Sequence, residues 1–361
     1  MASFDEVLKD CTKLGTKIPT SEYLENGKYP IIDQGQNDIA GYYDSDDGLF
    51  EDVPTIVFGD HTRIVKYIDK PCFLGADGVK LLCPVSKDTN CKYLFYQLAH
   101  ADIPNTGYNR HFKWVKALDF KIPSSDEQNH VVEVLDKVTE LISFRKQQLA
   151  KLDELVKARF VEMFGKASLL AQNQAKRLEE CCISISGGNT PSMQHPEYYG
   201  GNIPFVKSGD VKGDYIVEST LTLTKTALTE TTAKILPKST LIVVIRSAAL
   251  LKEFRIGMLM VDAVINQDLK ALQVSEDFLP VYLMWAIKMQ HQVLLNKVQT
   301  MLTSHIRMED LLNLKIGTPP LSLQNQFAAF VERVDQQKQT IQQSLEKLEL
   351  MKEALMQEYF G

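Results

Sequence analysis

This 361-residue sequence lacks the features that mark membrane, secreted and zinc-binding proteins. Its longest apolar runs, such as residues 241–245 and 257–261, fall far short of the roughly 20 residues that a membrane-spanning helix needs. The first ten residues are too acidic and too polar for a signal peptide. The six cysteines form no CxxC pair, which argues against a structural zinc site. We therefore predict a cytoplasmic protein with reduced cysteines and no membrane segment.

Motifs for nucleotide binding or catalysis are also missing. Gly187 and Gly188 suggest a flexible turn, but the Gly-Lys-Ser/Thr ending of a phosphate-binding loop does not follow them. Asp60, His61 and Arg63 are close in sequence, but no second acidic residue stands nearby at metal-ligand spacing. The sequence accordingly predicts no catalytic residue, no metal ligand and no bound cofactor.

The composition, 44% apolar and 24% charged, is typical of a globular protein with large cores, and the length suggests two or more domains. The net charge of −6 by itself argues against nucleic acid, but the charges are unevenly placed. Acidic residues cluster within residues 38–52, whereas Arg110, Lys113, Lys116 and Lys121 lie close together. Screening limits each patch to about 8–10 Å at physiological salt, so one face can bind DNA despite the negative total charge.

The strongest pattern is an internal repeat. Residues 123–165 align without a gap on residues 319–361, with a constant shift of 196 positions (123 to 319, 165 to 361). The shift places the following residues together: Pro123 and Pro319, Gln128 and Gln324, Asn129 and Asn325, Phe164 and Phe360, Gly165 and Gly361. Self-similarity at a fixed offset reflects architecture. The repeat therefore predicts two halves, each a globular domain followed by one helix.

Both copies have the pattern of long helices that pack lengthwise on another helix. Apolar residues recur every seven positions: Leu135, Ile142, Leu149, Val156 and Met163 in the first copy, and Phe327, Val334, Ile341, Leu348 and Leu355 in the second. The residues predicted to fill the first stripe are Val131, Val134, Val138, Leu141, Leu152 and Leu155. Ser125 with Gln128 fits a capping box at the start of the first helix. Each helix of about 40 residues would be about 60 Å long.

Two arrangements of these helices are open. Antiparallel pairing would give a stiff rod with a globular domain at each end, whereas separate amphipathic helices would each cover the core of one domain. The length of the seven-residue pattern in both copies favours a mutual antiparallel coiled coil. The sequence does not distinguish pairing within one chain from pairing between chains.

The segments between the helices predict mixed β-sheets with a few helices, and therefore an α+β fold. Predicted strands include residues 29–32, 55–58, 79–82, 203–206 and 241–245, and residues 92–100 are predicted to be helical. Similar motifs recur in the same order in both segments, which indicates diverged copies of one fold. The predicted domains are residues 1–122, a helix at 123–166, residues 167–318 and a helix at 319–361.

Polar, basic and aromatic residues in the loops of both segments are candidate DNA contacts. Residues 105–116 interleave aromatic rings with basic and amide side chains, and Gly107 permits close approach. The candidates in the first segment are Gln36, His61, Thr62, Arg63, Tyr108, Asn109, Arg110, Lys113 and Lys116. The candidates in the second are Thr190, Lys207, Ser208, Arg246, Ser247, His305 and Arg307. Such side chains contact phosphates or the donor and acceptor groups of base edges.

Together these features resemble the specificity (S) subunits of type I restriction–modification systems. The resemblance covers nearly the whole chain and rests on the doubled domain-plus-helix plan and the order of several loose motifs. These motifs are residues 59–62, 75–78, 105–108, 188–191 and 197–205, Asn266 with Gln267, and the entry from proline to glutamine into both helices.

The resemblance implies two target recognition domains, each reading one half of a split site in double-stranded DNA. It implies that the two helices form a coiled coil that sets the gap and docks methyltransferase subunits, two in number. S-adenosylmethionine and all catalysis would belong to those subunits, and restriction (motor/nuclease) subunits would join for cleavage. The sequence recognised, the gap length and the choice between restriction and methylation alone are not implied.

Two alternatives are retained. One is a coiled-coil scaffold that binds only protein and would show no salt-dependent affinity for DNA. The other is a stand-alone DNA methyltransferase. Residues 202–205 read Asn-Ile-Pro-Phe, which partly resembles the active-site turn of such enzymes but lacks its first proline.

Overall fold

The computed structural model describes residues 1–75, 77–170, 175–300 and 305–361. They form two compact units: unit 1 comprises residues 1–148 and 341–361, and unit 2 comprises residues 149–340. Ala76, within the turn predicted at residues 75–78, lies outside the described residues. Within the described ranges, no helix combines the length and apolarity that crossing a bilayer requires.

Unit 1 combines short strands with a few helices. Its strands are β1 (Ala2–Ser3), β2 (Leu8–Asp10), β3 (Tyr29–Ile32), β4 (Gly41–Tyr43), β5 (Thr55–Gly59), β6 (Val65–Ile68), β7 (Phe73–Leu74), β8 (Val79–Pro84) and β9 (Asp119–Phe120). Its helices are α1 (Phe4–Val7), α2 (Cys91–His100), α3 (Phe112–Val115) and the first part of α4 (Ser125–Leu170).

Unit 2 has the same kind of organisation. Its strands are β10 (Ala175–Arg177), β11 (Cys182–Gly187), β12 (Tyr199–Val206), β13 (Tyr215–Ile216), β14 (Leu221–Leu223), β15 (Leu241–Val244), β16 (Ile256–Leu259), β17 (Val264–Ile265), β18 (Leu269–Val274) and β19 (Lys315–Gly317). Its helices are α5 (Lys225–Glu230), α6 (Pro280–Lys288), α7 (His291–Thr300), α8 (Met308–Leu312) and the first half of α9 (Leu321–Phe360). Helix α4 enters this unit at residue 149, and α9 leaves it at residue 340.

The two units share one sheet topology. In unit 1 the larger sheet has the order β2-β8-β5-β6 and the smaller sheet has the order β4-β3-β7. In unit 2 the corresponding orders are β11-β18-β15-β16, with β13 added beside β16, and β14-β12-β17. Both smaller sheets contain one parallel pair, β3 with β7 and β12 with β17. The predicted α+β fold, built twice, is therefore confirmed.

The continuous apolar runs at β5 and β15 are explained by burial of both sheet faces. Ile56 and Phe58 pack against α2 and the long helices, whereas Val57 faces the core beneath the smaller sheet. In unit 2, Leu241 likewise packs into the core that contains the long helices, and Ile242 packs into the core on the opposite face of the sheet. The predicted strands at 29–32, 55–58, 79–82 and 203–206 and the helix at 92–100 are confirmed, and the strand predicted at 241–245 ends at residue 244.

In unit 1 the beginning of α4 packs against the end of α9. Leu135 shares a core with Met356, and Lys146 forms an ion pair with Glu349 at 3.0 Å. Residue numbers rise along one helix while they fall along the other, so these segments are antiparallel. Lys352 of α9 lies beside Tyr96 of α2, and burial lowers the pKa of this lysine.

In unit 2 the later part of α4 packs against the beginning of α9. The rings of Phe160 and Phe327 meet edge to face at 5.3 Å, and Lys338 pairs with Asp153 at 2.6 Å. These segments are also antiparallel, so within each unit the helices pair inside one chain. Tyr215 donates to Asp335 of α9 at 2.6 Å.

The apolar stripe of α4 is narrower than the sequence predicts. Leu135, Ile142 and Val156 are buried as expected. The prediction is wrong for Leu141 and Leu155, which are 45% and 46% exposed. A helix that pairs mainly along one seam buries few positions per heptad, and these two leucines lie outside that set.

The predicted capping box at Ser125 and Gln128 is also wrong, because the box is one residue earlier. The Ser124 hydroxyl and N–H both donate to Glu127 Oε2, at 2.7 and 3.0 Å. Gln128 has a different function: its amide accepts from Asn90 N–H (2.9 Å) and donates to the Pro123 carbonyl (2.9 Å).

The repeated glutamine serves the same purpose in unit 2. Gln324 is fully buried, accepts from Leu279 N–H at 2.8 Å, and donates to the carbonyls of Pro319 (2.9 Å) and Asp277 (3.0 Å). Asn90 and Leu279 are the residues that precede α2 and α6. Each glutamine therefore ties the start of a long helix to the start of the helix that backs the sheet.

Candidate DNA interface

In unit 1, several loops converge where β3 and β5 end and β8 begins. Gly75 N–H donates to the Ile32 carbonyl at 2.7 Å, and Asp60 N–H donates to the Gly78 carbonyl at 2.7 Å. His111 N–H donates to the Asp60 carbonyl at 2.8 Å. These bonds bring together residues 33–36, 60–63, 77–78 and 105–111, which we call the first loop edge.

Gln34 braces the first loop edge. Its side-chain oxygen accepts from His61 N–H (3.2 Å), and its side-chain nitrogen donates to the Asp77 carbonyl (3.0 Å). The Thr62 hydroxyl donates to the Gln34 carbonyl at 2.7 Å. Lys66, almost fully buried, donates to the Asn37 carbonyl and fixes the end of the same loop. Gln36, between these anchors, is exposed.

Asp60 and His111 form a buried, hydrogen-bonded pair. The Asp60 carboxylate accepts from Phe112 N–H at 2.7 Å. His111 is fully buried, with Nδ1 at 2.9 Å from the Asp60 carbonyl and Nε2 at 3.4 Å from the Thr106 hydroxyl. Both side chains therefore join the loop after β5 to the loop before α3.

The remaining candidates of unit 1 surround this pair. Thr62, Tyr108, Asn109, Arg110, Lys113 and Lys116 are exposed, and His61 is half-buried. Arg63, at a positive φ of 63°, donates from Nη1 to the Ile103 carbonyl at 2.9 Å. Since a guanidinium has five N–H donors, this contact leaves others for a ligand.

In unit 2, the turn at residues 266–268 links the corresponding loops. Asn266 N–H donates to the Val206 carbonyl at 3.1 Å, and the Thr190 hydroxyl donates to the Gln267 side-chain oxygen. Arg246 N–H donates to the Asp268 carbonyl at 3.2 Å. Residues 188–190, 207–210, 246–247, 266–268 and 305–307 form the second loop edge.

The structure brings all seven candidates of unit 2 to this edge. Arg246 forms a short β-bridge with His305, and its largely exposed guanidinium lies 3.6 Å from the Asp268 carboxylate. Lys207 and Ser208 begin a turn closed by Asp210, whose carboxylate accepts from Lys207 N–H at 2.8 Å. The remaining three are Thr190, Ser247 and Arg307, of which Arg307 is exposed.

Gly188, the second residue of the glycine pair at 187–188, stands where the backbone comes very close to β17. A Cβ on this residue would lie 2.0 Å from the Ile265 carbonyl oxygen, so no other residue fits without displacing backbone. Asn189 N–H donates to the same carbonyl at 3.1 Å. The close approach aligns residues 188–190 with β17.

Sequence reasoning missed the amides that hold the loops in place. Gln34 follows β3 and Gln267 follows β17. Neither was among the candidates, although both lie in polar turns between buried strands. The useful signal is an amide residue next to a strand end, because amides donate and accept at once and can join two loops.

The acidic stretch at residues 38–52 is partly neutralised within unit 1. Asp46 lies 2.6 Å from the Lys28 ammonium and 2.5 Å from the Tyr29 hydroxyl. The hydrogen bond from Lys28 lowers the pKa of Asp46, and Asp46 in turn raises the pKa of Lys28 to about 12.

The structure gives the stand-alone methyltransferase alternative no support. Residues 202–205 lie inside β12, where Pro204 stands opposite Thr222 of β14. They are part of a sheet rather than an active-site turn.

Comparison with known proteins agrees with this architecture. A family model described as the type I restriction modification DNA specificity domain matches residues 5–154 and again residues 172–350. The chain is 24% identical over 343 residues to the type I restriction enzyme EcoR124I/EcoR124II specificity subunit of Escherichia coli, covering 88% of this chain and 82% of that protein.

Two solved structures have a similar fold. The S subunit of the type I restriction-modification system from M. genitalium aligns with a TM-score of 0.60 at 16% identity, covering 99% of this chain and 95% of that one. A chain from work on complex assembly and conformational transition of the type I R-M system aligns with a TM-score of 0.55 at 15% identity and the same coverages. Because the family model matches most of the sequence in two successive segments, the chain belongs to the type I restriction–modification DNA specificity family.

Proposed function

We propose that this chain is the DNA-recognition subunit of a type I restriction–modification complex and that each unit reads one half of a bipartite site. The observation that carries this proposal is the construction of equivalent loop edges at corresponding strand ends of a duplicated fold. The two edges differ in side chains, with Tyr108 and Arg110 on the first and Arg246 and Arg307 on the second. Two diverged copies of one surface suit two different short sequences.

The proposed contacts divide by chemistry. Basic side chains at the loop edges contact phosphates and fix the register, whereas amide, histidine and arginine side chains reach base edges in the major groove. The proposed DNA-contacting residues are Gln36, His61, Thr62, Arg63, Tyr108, Asn109, Arg110, Lys113 and Lys116 in unit 1, and Thr190, Lys207, Ser208, Arg246, Ser247, His305 and Arg307 in unit 2.

The chain is proposed to be non-catalytic and to act with other subunits. Recognition domains at residues 1–122 and 167–318 would read DNA, and helices at 123–166 and 319–361 would set the gap and dock two methyltransferase subunits. Restriction subunits would join through the complex, and a cytoplasmic location stays a prediction. Removing one matched turn from both helices should shorten the gap between half-sites, and an unchanged gap would refute their role as a spacer.

The bipartite proposal is tested by mapping modified positions in host DNA with single substitutions in each loop edge. Arg110→Ala is expected to relax or weaken recognition of one half-site only, and Arg246→Ala that of the other. Loss of a base contact should reduce discrimination at one base position by about 1–3 kcal/mol of binding free energy. Loss of a phosphate contact should weaken binding to all sequences and reduce the slope of log K against log salt concentration by about one.

Matched controls remove the same charge away from the loop edges. Lys87 in unit 1 and Lys238 in unit 2 are exposed, and their replacement by alanine should leave both half-sites unchanged. If Arg110→Ala and Arg246→Ala alter the same half-site, or if the complex modifies one continuous site, the proposal is wrong. Modification by the purified chain alone would contradict its non-catalytic role.

A further inference from the structure

His61 lies at the first loop edge with its imidazole ring held in one orientation. The ring stacks on Tyr108, with centroids 4.7 Å apart and planes within 8° of parallel. Nδ1 lies 3.2 Å from the Asn109 carbonyl oxygen, and the His61 backbone N–H donates to Gln34 at 3.2 Å. The two contacts with residues 108–109 therefore restrict the ring, and the bond to Gln34 restricts the backbone that carries it.

These contacts also fix which ring nitrogen carries the proton. A carbonyl oxygen only accepts hydrogen bonds, so Nδ1 must donate to Asn109. In the neutral ring, Nε2 then bears a lone pair and is an acceptor. Across the described residues, Nε2 of His61 has no hydrogen-bond partner, and the side chain is only half-buried.

His111 in the neighbouring loop provides a contrast. It is fully buried, and both of its ring nitrogens lie within hydrogen-bonding distance of unit 1 groups. Both ring nitrogens of His111 are therefore engaged within unit 1, whereas His61 keeps Nε2 as an acceptor for a ligand.

We propose that Nε2 of His61 reads one base of the first half-site by accepting a hydrogen bond from an exocyclic amino group in the major groove. This inference rests on the proposed function. Adenine N6 and cytosine N4 are the amino donors exposed in that groove, whereas guanine and thymine present oxygen acceptors there. His61 therefore favours adenine or cytosine over guanine or thymine at one position.

Tyr108 is the positioning residue in this scheme. It is 88% exposed, although burial of its ring would be favourable, and its ring stacks on that of His61. Covering one face of the imidazole prevents the ring from turning its acceptor away from the groove. Gly107, at a positive φ of 79°, permits the turn that brings Tyr108 over His61.

The test uses the full chain assembled with its modification subunits and duplexes that contain the mapped site. Each adenine or cytosine of the first half-site, other than the modified base, is replaced in turn by an analogue that lacks the exocyclic amino group. At one position the loss of this group should weaken binding by wild type roughly 10-fold. His61→Phe, which keeps an aromatic ring for the stack, should bind both duplexes equally.

Controls separate a reading role from a structural role. His195→Phe changes an exposed histidine of unit 2 that stacks on Tyr198 outside both loop edges, and it should retain the wild-type response at every position of the first half-site. Tyr108→Ala leaves both ring nitrogens of His61 intact and should reduce discrimination at the same position as His61→Phe.

The outcomes distinguish this inference from the proposed function. If wild type shows a bipartite preference but no amino group of the first half-site matters, the assignment of His61 is overturned and the proposed function stands. The same follows if His61→Phe keeps the wild-type response. If the wild-type complex shows no sequence preference, both fail together.

Discussion

Replacing Gln324 by alanine should measure how strongly the repeated glutamine holds unit 2 together. The substitution removes three hydrogen bonds from a fully buried side chain and leaves Leu279 N–H without its acceptor. Each net loss costs about 1 kcal/mol, and a stranded buried group costs about 1–3 kcal/mol. We therefore expect the free energy of unfolding of unit 2 to fall by roughly 2–4 kcal/mol.

The measurement can be confined to unit 2 by tryptophan fluorescence. The chain has two tryptophans, and Trp285 is buried in unit 2 whereas Trp114 belongs to unit 1. In a Trp114→Phe background, urea unfolding followed at Trp285 reports unit 2. Amide exchange at Leu279 should accelerate in the Gln324→Ala variant, because its N–H loses its partner.

The neighbouring amide is the matched control. Asn325 is exposed and donates to Leu321 one turn earlier, so Asn325→Ala should change the unfolding free energy by no more than about 0.5 kcal/mol. Equal effects of the two substitutions, or a loss below about 1 kcal/mol for Gln324→Ala, would refute the view that this residue anchors the helix.

Three further predictions concern helix capping, pH and backbone contact. Ser124→Ala should destabilise unit 1 by about 1 kcal/mol in urea unfolding, whereas Ser125→Ala should have little effect because Ser124 is the capping residue. Burial raises the pKa of Asp335 above its unfolded value of 3.8, so protonation of this carboxyl group stabilises the folded state. This stabilisation is complete below pH 3.8 and is lost as the pH rises through the higher pKa of the folded state. Asp335→Asn should therefore be at least as stable as wild type at pH 7, and its advantage in urea midpoint should disappear towards pH 3.8; an advantage that grows in acid would contradict this. Gly188→Ala should destabilise unit 2 by more than about 1 kcal/mol and disturb recognition of the second half-site, whereas Gly213→Ala, which meets open space outside the second loop edge, should do neither.

The large-scale plan could be predicted from the sequence because it depends on periodicity and repetition. The structure contains the predicted repeat, in which Gln324 corresponds to Gln128. It also contains the two long helices with a seven-residue apolar pattern and the predicted buried strands. What failed was local. The Ser-Ser-Asp-Glu-Gln stretch contains two possible capping boxes, one at Ser124 with Glu127 and one at Ser125 with Gln128. The structure has the first of them, and Gln128 instead accepts a tertiary hydrogen bond from Asn90.

The loop edges were only partly predictable for a related reason. Exposed Tyr108 and Arg110 could be chosen by residue type, but the engagement of Arg63 with Ile103 and the stack of His61 on Tyr108 depend on which loops meet. Contacts between residues about 40 positions apart leave no local signal. The role of Gln34 was missed for the same reason.

The arrangement of the chain in the two units has a consequence for biosynthesis. Unit 2 is one continuous stretch, so its core can close as soon as residue 340 has left the ribosome. Unit 1 begins to be synthesised first but needs Met356 and its neighbours, which are made after unit 2, to cover its apolar face. Unit 1 therefore keeps part of its core exposed until residues 341–361 have been synthesised. Premature termination after residue 340 would leave unit 2 complete and unit 1 without the segment that covers its core.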